Sequence, residues 1–185
     1  MKKQIISLLT IIFSLTSFET LALEQDWKPA KDGDKIILIR HAKAPGGGDP
    51  KGFKIDDCKT QRNLDMMGIN QAKKIGKLFR QNKVKINQVL SSQWCRCKDT
   101  AKYAFGNFKE FSALNSTYTP PYDQNEKQQI KELKKYVNNW NGKGGNLVLV
   151  THYVIILAIT GETTRSGELV ITDKNFNVLS TINTF

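Results

Sequence analysis

The sequence predicts an α/β fold: a three-layer α/β/α sandwich around a mostly parallel central sheet. Two apolar runs, Ile36-Ile37-Leu38-Ile39 and Leu147-Val148-Leu149-Val150, are too short for ordinary helices. They suit strands buried on both faces. Further strand-like runs alternate with segments whose apolar residues recur at helical spacing, the pattern of a sheet covered by helices with its first strands parallel. Each of the two runs ends at a histidine, as Arg40-His41 and as Thr151-His152. Both histidines of the chain therefore lie just past the carboxyl end of a buried strand, the edge of an open α/β sheet where ligands bind.

The elements follow in order. Residues 1–22 read as a secretory signal peptide. Lys2 and Lys3 precede an apolar stretch from Ile5 to Phe18, and Thr20-Leu21-Ala22 offers small residues for cleavage. The apolar stretch is shorter than the ~20 residues of a membrane span, which favours a cleaved leader over an uncleaved anchor. Residues 23–185 are the expected mature domain, periplasmic or secreted, with no stable membrane insertion after cleavage.

Residues 23–34 read as a polar lead-in containing Trp27 and Pro29, and the first strand runs from Lys35 to Arg40. Ala44 to Asp57 holds Pro45, Gly46, Gly47, Gly48, Pro50 and Gly52, a composition that excludes regular structure. A long loop beside a strand's carboxyl end more often shapes a site than merely connects. The glycine run is not a P-loop, because no Gly-Lys-Ser/Thr follows it.

Asp65 is a good N-cap for a helix with Ile69, Ala72, Gly76 and Phe79 on its core face. Gln88 to Ser91 reads as the second strand, and a helix runs from about Arg96 to Phe105. Phe111 to Leu114 reads as a short third strand, followed by a loop from Asn115 to Asn125 with Pro120 and Pro121. Ile130, Leu133, Val137 and Trp140 mark the next helix. The fourth strand is Leu147 to Thr151, a short apolar helix spans Tyr153 to Thr160, and Glu168–Thr172 and Asn177–Thr184 form a closing hairpin.

The 185 residues suffice for one domain with a sizeable core. The formal net charge is +11, which attracts anions in general. The lysines are scattered and no nucleic-acid-binding motif is present, so a nucleic-acid partner is not expected. Three cysteines, Cys58, Cys95 and Cys97, in an exported chain suggest one disulfide. Cys95 and Cys97 are too close to bridge each other easily. Cys58 pairs with one of them and leaves one thiol free. The alternative, a zinc site, has only C-x-C plus a distant cysteine behind it.

Three strand-to-helix junctions carry the chemistry. The first holds Arg40 and His41, the second Arg96 and the third His152. Guanidiniums, imidazoles and helix N-termini converging on one sheet edge make an anion site, and guanidinium geometry suits phosphate oxygens.

The same residues carry a family resemblance. Leu38-Ile39-Arg40-His41-Ala42 resembles the Arg-His-Gly signature of the histidine phosphatase superfamily, the phosphoglycerate mutase-like fold, with Ala for Gly. Arg62 to Ala72 resembles its R-x-L-T-x-x-G-x-x-Q-A stretch, with Asp65 in place of the capping Thr. Ser91 to Ala101 resembles its S-x-x-x-R-x-x-x-T-A stretch around Arg96, and Val150-Thr151-His152 its second-histidine motif. The four matches come in family order and span most of the mature chain.

The resemblance implies a short, exported bacterial phosphomonoesterase. His41 would attack phosphorus and form a phosphohistidine, while Arg40, Arg96 and His152 hold the equatorial oxygens. Arg62 is an additional candidate for substrate binding. No metal or other cofactor is expected. Candidates for the leaving-group acid are Asp123 and Glu126, with Asp49, Asp56 and Asp57 as rivals. The expected partner is a small phosphorylated substrate; the compartment suggests a phosphosugar or an envelope glycan phosphate. The rival reading is a non-catalytic phosphate-ligand binding module of the same fold.

Overall fold

The computed structural model describes residues 27–185. The signal-peptide expectation for residues 1–22 lies outside the described residues.

A six-stranded sheet is built from β1 (Ile36–Arg40), β2 (Ile86–Ser91), β3 (Lys109–Glu110), β4 (Asn146–Thr151), β5 (Leu169–Thr172) and β6 (Val178–Ile182), in the order β3-β2-β4-β1-β5-β6. β1, β2, β3 and β4 run parallel, and β5 and β6 close the sheet as an antiparallel hairpin. The sheet is therefore mostly parallel, as the sequence predicts.

Four helices follow the predicted positions: α1 (Met66–Gln81), α2 (Cys95–Phe105), α3 (Glu126–Asn139) and α4 (Tyr153–Thr160). The alternation of the strand residues divides them between two cores. Ile37, Ile39, Val148 and Val150 face one layer with Ile75 and Phe79 of α1 and Cys97 and Ala101 of α2. Ile36, Leu38, Leu147 and Leu149 face the other with Leu133 and Val137 of α3 and Ile155 and Ile156 of α4. This double burial is why β1 and β4 read as continuous apolar runs.

Asp65 caps α1 as expected, its side chain accepting from Gly68 N. On the core face, Ile75 is buried whereas Ile69 is only half-buried. Gly76 lets α1 approach α2: a Cβ there would lie 2.1 Å from Ala104 O.

Two expectations need correction. Residues 27–32, within the expected polar lead-in, are helical. Trp27 is buried there and packs edge-on against Phe79 at 5.5 Å. The third strand is Lys109–Glu110, not Phe111 to Leu114; Ser112–Leu114 is a 3₁₀ turn. Ala113 and Leu114 fill the core from that turn, so their apolar character reports burial without strand geometry.

Candidate active site

Sheet register brings the two histidines together. β1 and β4 pair in parallel with Arg40 opposite Thr151, so the next residues, His41 and His152, leave the sheet side by side. Their ring centroids are 5.5 Å apart. The backbone locks this exit: His41 N donates to Thr151 O at 2.9 Å and Ser92 N to Val150 O at 2.9 Å. The second junction, from β2 through Ser92 into α2, thereby delivers Arg96 to the same edge.

Other motif residues brace the junctions. Thr100 Oγ1 accepts from Ala42 N at 2.9 Å and donates to Arg96 O at 2.7 Å. Gln71 Oε1 accepts from Lys43 N at 2.9 Å, while its amide donates to Ser166 O at 2.7 Å. Gly68 passes close to Lys43, where a Cβ would lie 2.0 Å from the carbonyl oxygen. These contacts give the G-x-x-Q-A and T-A portions of the motifs a physical reason: they fix the chain just after His41.

Arg40, His41, Asp49, Arg62, Arg96 and His152 line a cavity of about 420 Å³. All five predicted site residues are thus brought together, and Arg62 faces the cavity rather than serving only the surface. Arg40 donates to Thr164 O at 2.5 Å and stacks its guanidinium over the Tyr153 ring at 5.2 Å. Arg62 donates through Nη1 to Ala44 O. The Nε groups of Arg40, Arg62 and Arg96 are buried without a hydrogen-bond partner. Buried donors are ordinarily satisfied, and three of them around one cavity match an anion that brings its own acceptor oxygens.

The two imidazoles are prepared differently. His41 Nδ1 lies 2.8 Å from Ala42 O. A carbonyl only accepts, so Nδ1 carries the proton and Nε2 keeps a free lone pair. Burial first, and then the Arg96, Arg62 and Arg40 guanidiniums, hold the His41 pKa well below the usual histidine range. Neutral His41 is therefore the resting form.

His152 Nε2 is 3.0 Å from Ser92 Oγ and 3.4 Å from Cys97 Sγ, and its Nδ1 is 3.4 Å from Arg96 Nη2. Burial, then Arg96, also keeps its pKa well below the usual range. Ser92 donates to Asn115 Oδ1 at 3.1 Å, which leaves its oxygen to accept from His152 Nε2–H. A serine hydroxyl can also donate, so turning it supports the other tautomer, with the proton on Nδ1. Ser92 is a supporting residue that strand-end position alone could have suggested.

The glycine-rich loop is welded to the start of α2. Cys58 and Cys95 form a disulfide, leaving Cys97 as a buried free thiol. Burial pushes that thiol's pKa up to about 12. Gln61 accepts from Cys95 N at 2.9 Å while donating to Lys54 O and Ile55 O, each at 2.9 Å. Of the carboxylates considered as acids, Asp123 and Glu126 are exposed and away from the cavity, and Glu126 accepts from Thr117 Oγ1 at 3.3 Å. Asp57 caps a 3₁₀ turn by accepting from Lys59 N, and Asp56 is exposed. Asp49 is the one carboxylate among the described residues that lines the cavity.

No family model matches the sequence, and neither does any curated protein. Solved structures do match the fold. An Agrobacterium tumefaciens protein assigned as the phosphohistidine phosphatase SixA superposes with a TM-score of 0.57 at 18% identity, over 82% of this chain and 99% of its own. Phosphoglycerate mutase from Thermus thermophilus superposes with a TM-score of 0.56 at 16% identity, over 80% and 98%. The protein histidine phosphatase SixA complexed with tungstate gives 0.53 at 14% identity, over 78% and 92%. The chain thus has the phosphoglycerate mutase-like fold of the histidine phosphatases.

Proposed function

We propose that this protein is a phosphomonoesterase that hydrolyses a phosphate ester through a phosphohistidine on His41. The observation that carries the reading is the pairing of a neutral, oriented imidazole with three buried guanidinium N–H groups that lack partners, all on one cavity. An anion binder needs the guanidiniums; it has no need of an imidazole with a free lone pair facing the same space.

In the first step the His41 Nε2 lone pair bonds to phosphorus and the P–O bond to the leaving group breaks. The departing oxygen takes a proton from water and leaves as an alcohol. Arg40, Arg62 and Arg96 hold the phosphoryl oxygens as their charge redistributes. A phosphoryl oxygen beside His152 Nδ1 selects the tautomer protonated there, with the Ser92 hydroxyl turned to donate to Nε2. In the second step water attacks phosphorus, the P–N bond breaks, and inorganic phosphate leaves a neutral His41. The arginines supply the positive charge that a metal ion supplies in other phosphatases, so no cofactor enters the scheme.

The leader pattern of residues 1–22 supports action in the periplasm or outside the cell, where a phosphosugar or an envelope glycan phosphate is available as substrate. The SixA structure with tungstate, a phosphate-like oxyanion, is consistent with a small phosphorylated ligand.

The test is phosphate release from a panel of phosphate esters, phosphosugars included, by wild-type protein and by His41→Ala with unfolding monitored in parallel. Turnover by the wild type and none by the folded variant are expected. A folded variant that retains substantial activity removes His41 as nucleophile. Wild-type protein that binds inorganic phosphate but turns over no ester is a binding module.

A further inference from the structure

The loop after β1 places a carboxylate in the middle of this cationic cavity. Asp49 follows Gly48, whose φ of +79° favours glycine. Its side chain is 8% exposed and pairs with Arg96, itself 4% exposed. Asp49 Oδ1 accepts from Arg96 Nη1 at 2.9 Å and from Arg62 N at 3.0 Å. Oδ2 accepts from Trp94 Nε1 at 3.0 Å and from Arg96 Nη1 at 3.1 Å.

Every hydrogen-bond partner of this carboxyl group is therefore a donor. A proton on either oxygen would point at an N–H, so the arrangement fits an ionised carboxylate and not a carboxylic acid. The donors come from the loop, from the N-cap of α2 and from its first turn, which fixes the carboxylate from three directions. Arg96 is then held by one edge. Nη1 is engaged by Asp49, while Nε has no partner and Nη2 lies 3.4 Å from His152 Nδ1.

We propose that Asp49 is a positioning residue for the proposed phosphoryl transfer. It anchors Arg96 through Nη1, so that Nε and Nη2 are presented to the phosphoryl group, and it offsets one of the three guanidinium charges around the cavity. Arginine side chains carry large rotamer entropy, and an arginine fixed before substrate arrives needs no reordering as transition-state charge develops. The offset charge keeps the site from holding its anionic product too tightly. This inference rests on the phosphatase reading of the site.

The test compares wild-type protein with Asp49→Asn on two esters, p-nitrophenyl phosphate as a good leaving group and glycerol 3-phosphate as a poor one. Inorganic phosphate serves as the binding probe. Charged hydrogen bonds of this type correspond to about 10- to 100-fold in rate. kcat is expected to fall by that factor for both esters alike, with inorganic phosphate inhibiting at the same or lower concentration than in wild type. Trp94→Phe removes the indole donor to Asp49 together with part of a buried ring packed on Phe53, Tyr122 and His152; with its stability measured in parallel, it is expected to lower kcat less than Asp49→Asn does and without weakening phosphate inhibition.

A loss confined to glycerol 3-phosphate, with the alkaline side of the pH profile altered, overturns the proposal and makes Asp49 the proton donor. Weaker phosphate binding in parallel with the lost kcat means a merely structural role and also overturns it, as does an Asp49→Asn protein with unchanged kinetics. Wild-type protein inactive on both esters is a separate result: it refutes the phosphatase reading and this inference with it.

Discussion

Breaking the Cys58–Cys95 bond should cost more stability than any single contact it replaces. The bond joins residues separated by 37 positions. Closing a loop of that length removes about 4 kcal/mol of chain entropy from the unfolded state, with 2–4 kcal/mol the usual measured range. Cys58 is exposed and Cys95 is buried, so Cys58→Ser is the less intrusive perturbation. The folded loop retains its other ties, Gln61 to Cys95 N and Asp49 to Arg96, so the loss should come mainly through the unfolded state. Urea unfolding of wild-type and Cys58→Ser protein, with and without reductant, measures it. The wild type should lose about 2–4 kcal/mol on reduction, and the variant should already be lower by that amount and insensitive to reductant. A variant within about 0.5 kcal/mol of oxidised wild type would show that the bond contributes little to stability, because a surface substitution alone accounts for a change of that size.

The remaining predictions are independent of that bond. Both histidines are held neutral in the folded protein, whereas the unfolded chain protonates near pH 6.5. The unfolded state therefore binds more protons below that pH, and stability falls as pH falls, by up to about 1.4 kcal/mol per pH unit for each histidine. Denaturation between pH 7.5 and 5.5 should reveal a loss of about 3 kcal/mol for the pair, and a flat profile would contradict their buried neutral state. Gly76→Ala forces a Cβ onto the Ala104 carbonyl and should destabilise by about 1–3 kcal/mol; a neutral effect on the thermal midpoint would contradict the close packing of α1 on α2. His152→Ala should lower kcat by about 10²- to 10³-fold with a smaller change in phosphate affinity. Equal losses in both would reassign His152 to ground-state binding.

The central strands and the histidine pair are legible in the sequence for one reason. β1 and β4 are buried on both faces, so they stand out as apolar runs, and the residue that follows each, His41 or His152, enters the site. Helix α4 is readable to its bounds because Gly161 terminates it in a left-handed conformation. Edge strand β3 is not readable, since Lys109 and Glu110 are exposed and carry no apolar signal. The burial of Trp27 depends on Phe79, about 50 positions away, and local composition suggests only a polar lead-in. The alternatives left open for Cys58, Arg62 and Asp49 have the same origin. Their partners lie on other elements: Cys95 for Cys58, the cavity for Arg62, and Arg96 and Trp94 for Asp49. Only the folded loop brings those residues together.

The decisive species is the phosphohistidine itself. Wild-type protein mixed with ³²P-labelled phosphate ester is quenched within the first turnover, and the labelled peptide is mapped. Label is expected on the peptide containing Arg40-His41, stable to alkali and lost in acid as a phosphoramidate must be, and absent from His41→Ala. Turnover without any protein-bound label at any quench time, or label on a residue other than His41, would contradict it.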